Sequence, residues 1–363
     1  MQSTVGIGLI GSGFVADIHA HSVKNFVRNA EVRAVASPTP GKAAQLAAKY
    51  GIPHAFEDYR RLLELKEVDM VLVAVPNDLH AEVTVNAARA GKHVICEKPL
   101  CRTLEEADLM IETCRSQGVY LFYAEELLFA PKYVRAKQLA VDEKALGDVF
   151  LVKQWEEHSG PHSPWFWDVR RSGGGVLLDM GCHSIELARW IFGKPRVKSV
   201  TAVLGTYVHK DRTQGEDHSI CIVEYEGGRV GVAENSWAKP GGVDDRCEIY
   251  GSRGHTRADL LRGSSLLTYS EVGYGYAVEK AETTRGWTFT MFEEAWNYGF
   301  PQEIQHFVNC VLGKEKPIET GEDGREVLKI IYAAYQSAGE GRKITWPYEP
   351  PKVEKPIDLW KRA

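Results

Sequence analysis

Over the first 124 residues, short apolar runs alternate with stretches in which apolar positions recur every three or four residues. The runs at 5–10, 32–36, 70–75, 93–96 and 119–123 read as buried strands. The stretches from 14 towards 27 and at 41–50, 60–65, 79–90 and 104–116 read as helices, with Gly91 and Gly118 as stop signals. Helices between buried strands predict a mostly parallel, doubly wound sheet, an α/β arrangement. Beyond about residue 125 the period changes. Strands are predicted at 150–155, 200–207, 219–225, 229–237, 247–250 and 266–269, with Gly227-Gly228 as a hairpin turn. Little helix separates them, so a large, mostly antiparallel sheet is expected, with helices at 178–191, 300–312 and 324–339 available to cover one face. The reading is a two-domain chain, 1–124 and 125–363, with the cleft between the domains as the default active site.

Composition narrows the function classes. Lys and Arg total 44 against 49 Asp and Glu, a formal charge of −5, which offers no electrostatic footprint for nucleic acid. No apolar run approaches the roughly 20 residues that span a bilayer, and the N-terminal residues do not read as a secretory signal. Seven cysteines without a CxxC pair suit a reducing compartment, so a cytoplasmic location is expected. Nine tryptophans ask for a reason, and a carbohydrate-facing surface is one.

The chemistry starts at the first turn. Gly11-Ser12-Gly13-Phe14-Val15-Ala16 follows a strand and opens a helix, the context in which GxGxxA binds a dinucleotide. Ligands of such sheets sit at strand ends, where Ser12, Ser37, Val75, Pro76, Asn77, Glu97 and Lys98 fall. Thr39, Lys42 and His80 complete the candidate cofactor set. An NAD site usually places Asp or Glu after the second strand, and Ser37-Pro38-Thr39 stands there instead. NAD is favoured and NADP stays open. In the second half, Asp179 and His183 are four residues apart and would share one face of a helix, a carboxylate beside an imidazole. The stretch 156–168 reads as a functional loop, with Trp165 and Trp167 as an apolar wall for a sugar ring and His158 and His162 as hydrogen-bonding candidates. Those two imidazoles lack helical metal-site geometry, so no metal is expected. Glu125 is a substrate candidate against surface capping, and Tyr298, Glu303 and His306 are weaker pocket candidates.

Three ordered segments resemble the glucose–fructose oxidoreductase and inositol dehydrogenase-like (Gfo/Idh/MocA) family. Glu97-Lys98-Pro99 looks like its EKP signature; Gly173-Gly174-Gly175 followed by Asp179-x-Gly181-x-His183 looks like its second; Gly321-Glu322-Asp323-Gly324 is similar to a third. The resemblance implies an N-terminal Rossmann domain and a C-terminal α/β domain. It implies NAD(P)-dependent hydride transfer to or from a secondary alcohol of a sugar, glycoside or cyclitol. Lys98, Asp179 and His183 match the catalytic positions, and Asn77 a residue near the nicotinamide ribose. Homodimers or homotetramers packed through the large sheets are implied too. Two alternatives stay open: an enzyme that retains NAD while oxidising a sugar ring transiently or passing hydride between sugars, and a non-catalytic cofactor sensor.

Overall fold

The computed structural model describes residues 4–261, 266–270, 286–290 and 294–361. The chain forms two compact units. One comprises Met1–Phe129 and Gly299–Leu328; the other comprises Ala130–Tyr298 and Lys329–Ala363. Compared with a single division after residue 124, the first unit recovers a later segment. The reason is packing. The helix Phe300–Val311 sets Phe307 on Phe122, ring centroids 4.5 Å apart, and Phe300 edge-on to His19. A helical period says which face is apolar, not which sheet that face will cover.

In the first unit the strands are β1 (Val5–Ile10), β2 (Ala30–Ala36), β3 (His54–Phe56), β4 (Met70–Val73), β5 (His93–Glu97) and β6 (Leu121–Ala124). The helices are α1 (Phe14–Phe26), α2 (Lys42–Tyr50), α3 (Tyr59–Leu63), α4 (His80–Arg89) and α5 (Leu104–Gln117). All sheet pairings are parallel in the order β3-β2-β1-β4-β5-β6. The order reverses direction between β1 and β4, the place where such sheets take nucleotides. Local signals define the helix ends. Thr103 and Glu106 form a reciprocal capping box at the start of α5, and Gly118 ends it at φ +68°.

In the second unit α6 (Pro131–Lys137) precedes β7 (Val149–Glu157), then come α7 (Val169–Ser172), α8 (Val176–Asp179) and α9 (Gly181–Phe192). Strands β8 (Val197–Gly205), β9 (His218–Tyr225), β10 (Val230–Ser236), β11 (Asp244–Gly251) and β12 (Gly254–Asp259) follow. A separate hairpin joins β13 (Leu266–Ser270) to β14 (Gly286–Thr290). With β15 (Ile344–Thr345), the large sheet runs β12-β11-β7-β10-β9-β8-β15, antiparallel except at β7–β10. Gly227 and Gly228 take φ +82° and +79° in the β9–β10 turn, values that side chains resist. Helix α9 packs on β7 and β10.

Two expectations need correction. The helix expected over 178–191 is broken: α8 ends at Asp179, Met180 takes φ −112°, and α9 starts at Gly181. The stretch 156–168 is only partly loop, since β7 runs through Glu156 and Glu157 and a 3₁₀ turn covers Pro164–Trp167. Strand pairing with β10 and β11 carries β7 further than its apolar alternation did.

Candidate active site

On the nucleotide side, the glycine turn separates two tasks. Gly11 sits at φ +126°, and a Cβ there would lie 2.1 Å from the Ala74 carbonyl oxygen, so this glycine serves the fold. Gly13 has an ordinary φ of −80°, and a Cβ built on it meets nothing within 4 Å. It precedes α1 without any side-chain cap, leaving a helix start open for a phosphate. Here the absence of a side chain leaves room for a ligand. Phe14 and Val15 open α1, half-buried. Ser12 donates a 2.7 Å hydrogen bond to the Ser37 hydroxyl, tying the ends of β1 and β2 together. Thr39 and Lys42 are exposed just beyond. These residues fit a dinucleotide.

His80 is an internal brace for the next two loops. Its Nε2 lies 2.8 Å from the Val75 carbonyl oxygen and its Nδ1 lies 3.0 Å from that of Pro99. Burial pushes its pKa down, against the pull of those carbonyls, so the ring is neutral and donates to one of them. Pro76 and the buried Asn77 lie between Val75 and His80, so their backbone is fixed from both ends. Glu97 is held as firmly. Its carboxylate meets His19 Nε2 at 2.5 Å and accepts the Lys98 amide at 3.2 Å. Burial alone would raise its pKa, yet the His19 hydrogen bond and charge, with Lys98 adding, hold it low. Glu97 therefore presents Lys98, which is half-buried, from a fixed and charged support. His19 carried no sequence signal beyond its place in α1.

Other candidates in this unit are internal. Glu125 is fully buried, which removes the surface-capping alternative. Glu303 is fully buried as well, and burial plus the charges of Glu126, Glu97 and Glu319 push its pKa far up. His306 contacts Glu315 at 2.5 Å and accepts the Ile318 amide at 3.2 Å.

In the second unit, Asp179 closes α8 and His183 lies in the first turn of α9, with Met180 between. They are 8% and 2% exposed, so both are desolvated groups on rigid backbone. Met180 and Val176 pack in one cluster with Phe166 and the fully buried Trp237, and Trp165 and Trp167 lie against it. Trp165 stacks on Phe166 at 3.8 Å and Trp167 meets Trp237 at 5.3 Å, edge to face. The aromatic wall therefore shares the turn that separates Asp179 from His183. Trp237 and His209, which packs on Trp167, were not singled out by the sequence. His158 is buried and accepts the Gly160 amide on Nδ1, shaping the loop, whereas His162 is exposed and edges on Phe166. Tyr298 is buried at the end of α10 (Glu294–Tyr298).

One group that the sequence left unmarked is the buried Glu216. It accepts the amides of Gly175 and Leu177 and the Tyr335 hydroxyl on its carboxylate, and the Val176 amide on its backbone oxygen.

A Rossmann sheet with an open glycine turn, followed by a unit carrying a buried acid–imidazole pair on a large mixed sheet, defines an NAD(P)-dependent oxidoreductase. Comparisons agree. Residues 5–125 match the model of an oxidoreductase family with an NAD-binding Rossmann fold, and residues 133–257 match the GFO/IDH/MocA C-terminal domain. The chain is similar to a myo-inositol 2-dehydrogenase of Thermotoga maritima, 30% identical, covering 93% of this chain and 97% of that protein. A D-glucoside 3-dehydrogenase of Escherichia coli is 27% identical, covering 94% of this chain and 98% of that protein. Among solved structures, GenD2 from gentamicin A biosynthesis, in complex with NAD, superposes with a TM-score of 0.88 at 30% identity, covering 95% of this chain and 97% of that one. The chain belongs to the Gfo/Idh/MocA family of NAD(P)-dependent oxidoreductases.

Proposed function

We propose that this enzyme oxidises a ring secondary alcohol of a neutral cyclitol, sugar or glycoside, with Lys98, Asp179 and His183 as its catalytic residues. The observation that carries this reading is the aromatic cluster built onto Met180, between the acid and the imidazole. Sugar C–H faces stack on such walls, which would present a ring hydroxyl to the neighbouring base. His183 takes the hydroxyl proton, and Asp179 orients the imidazole or a second hydroxyl. Lys98, presented by the Glu97–His19 support, holds the alcohol oxygen and stabilises negative charge as it develops. Gly11 and His80 shape the loops of the dinucleotide site, and Ser12, Gly13, Phe14, Val15, Ser37, Thr39, Lys42, Val75, Pro76, Asn77, Glu97 and Lys98 hold the dinucleotide, whose nicotinamide supplies the hydride acceptor when bound. Glu125, His158, His162, Trp165, Trp167 and Tyr298 complete the substrate set.

An NAD and NADP activity screen across inositols, hexoses, anhydrosugars and glycosides tests this reading. Stoichiometric reduced cofactor with one of these classes supports it, and turnover confined to acyclic or acidic substrates overturns it. Trp167→Ala should raise KM for the productive substrate about tenfold, the loss of one good aromatic contact, with kcat within a few-fold. An equal fall in kcat would remove Trp167 from the binding wall.

We also propose a homo-oligomer built on the large sheet and a cytoplasmic location. On the sheet face turned away from α9, Val203 pairs with Ile220, and Ile222 lies between Thr201 and Val232. Val203 is 61% and Ile222 37% exposed, an apolar row on a wide sheet. Light scattering should give a multiple of 40.5 kDa for the wild type and a smaller mass for Val203→Lys/Ile222→Lys. A monomeric wild type would end the proposal. All seven cysteines are free and buried, which supports the reducing location.

A further inference from the structure

The buried Glu216 sits behind the proposed acid–base pair and not in it. It meets three consecutive amides at the start of α8. Its Oε1 accepts from Gly175 at 3.1 Å and from Leu177 at 3.0 Å, and its carbonyl accepts from Val176 at 3.0 Å. Tyr335, from the helix Gly321–Glu340, donates to the same Oε1 at 2.7 Å. The clamped residues pass this order on. Gly175 and Val176 carbonyls accept the amides of Asp179 at 3.2 Å and Met180 at 2.8 Å, and the Met180 carbonyl accepts that of His183 at 3.2 Å. One residue thus starts two chains of hydrogen bonds: that of its carboxylate runs through Gly175 to the Asp179 amide, and that of its backbone carbonyl runs through Val176 and Met180 to the His183 amide.

Glycines make this approach feasible. A Cβ on Gly174 would lie 2.1 Å from the Tyr335 hydroxyl, and one on Gly175 would lie 2.0 Å from the Glu216 carbonyl oxygen. Two glycines of the second signature are therefore vacant sites that Tyr335 and Glu216 fill.

We propose that Glu216, braced by Tyr335, is the positioning residue that sets Asp179 and His183 for the reaction, an inference that rests on the catalytic reading of that pair. Its charge matters because the three donors on its side chain, the Gly175 and Leu177 amides and the Tyr335 hydroxyl, favour the carboxylate. Burial opposes them and brings its pKa up to about 7. Below that pH the carboxyl is neutral, its hydrogen bonds to the Gly175 and Leu177 amides weaken, and the turn that leads into the pair loosens. The titratable group facing Glu216 is the Tyr335 phenol, which burial keeps protonated. The turn before α8 presents only amides. The adjacent Asp217 carboxylate is turned to the amides of Tyr207, Val208 and His209.

The test uses the whole enzyme with Glu216→Gln and Tyr335→Phe. In carboxyl-labelled NMR, the wild type should show one carboxyl titrating near pH 7 that is missing from E216Q. Y335F removes a donor that favours the charged form, so the midpoint should rise by about one pH unit. Activity should follow: Y335F regains most of its kcat at pH 9, whereas E216Q, which cannot ionise, stays low at every pH with cofactor affinity unchanged. Absence of the titration, or a Y335F loss equal at all pH values, overturns the inference. His183→Ala measured alongside separates the two readings. Full turnover in H183A overturns the catalytic reading and this inference with it; an inactive H183A with no titrating Glu216 overturns the inference alone.

Discussion

His183→Ala should lower kcat/KM by about two to four orders of magnitude, the usual worth of a positioned general base. Dissociation constants for NAD should stay within a few-fold, because the glycine turn and its supports belong to the other unit. The expected size follows from where the ring sits. At 2% exposure on the first turn of a twelve-residue helix, the imidazole has no mobile substitute, and water reaching its place has no fixed orientation. Thermal melting must accompany the kinetics, since truncating a buried ring also leaves a cavity. Added imidazole should restore part of the rate by refilling that cavity. If turnover persists at more than a tenth of wild type, the base lies elsewhere, and Lys98→Met becomes the deciding variant. Lys98 would then carry the proton as well as the charge. Its support by Glu97, itself held by His19, allows that exchange of roles.

The parts of this site that could be read from the sequence are those whose partners are near in the chain. The glycine turn is legible because strand, Gly11, Gly13 and helix are consecutive. Asp179 and His183 are legible as a spacing, but not as a geometry. A four-residue separation is the same whether the helix is continuous or broken at Met180, and only the packing of Met180 against Phe166 and Trp237 selects the break. Glu216 lies 41 positions from Gly175, and Tyr335 lies 119 from Glu216. No local pattern marks such partners. The glycines at 174 and 175 signal that something approaches closely without saying what. Trp237 escaped in the same way, as one apolar residue at the end of a strand pattern. The helix Phe300–Val311 was legible as a helix, yet its assignment to the first unit depends on Phe307 meeting Phe122.

The other large effect comes from a pair of glycine substitutions that should fail in different ways. Gly11→Ala should cost about 2–4 kcal/mol of stability, since it combines a left-handed backbone with a collision against the Ala74 carbonyl. Calorimetry should show it as a lowered Tm without ligand. Gly13→Val should leave that Tm nearly unchanged, because its φ is ordinary and its Cβ enters open space. Its damage should appear in binding, with the NAD dissociation constant raised at least about a hundredfold as the side chain fills the approach to the start of α1. Cofactor added in excess should then stabilise G11A but not G13V, since only the first keeps the phosphate site. A G13V enzyme that binds NAD normally would mean that the pyrophosphate does not rest on this turn. The open space at Gly13 would then need another occupant. The contrast works because the two glycines, two residues apart in one motif, answer to different constraints: Gly11 to the backbone of Ala74, and Gly13 to the ligand.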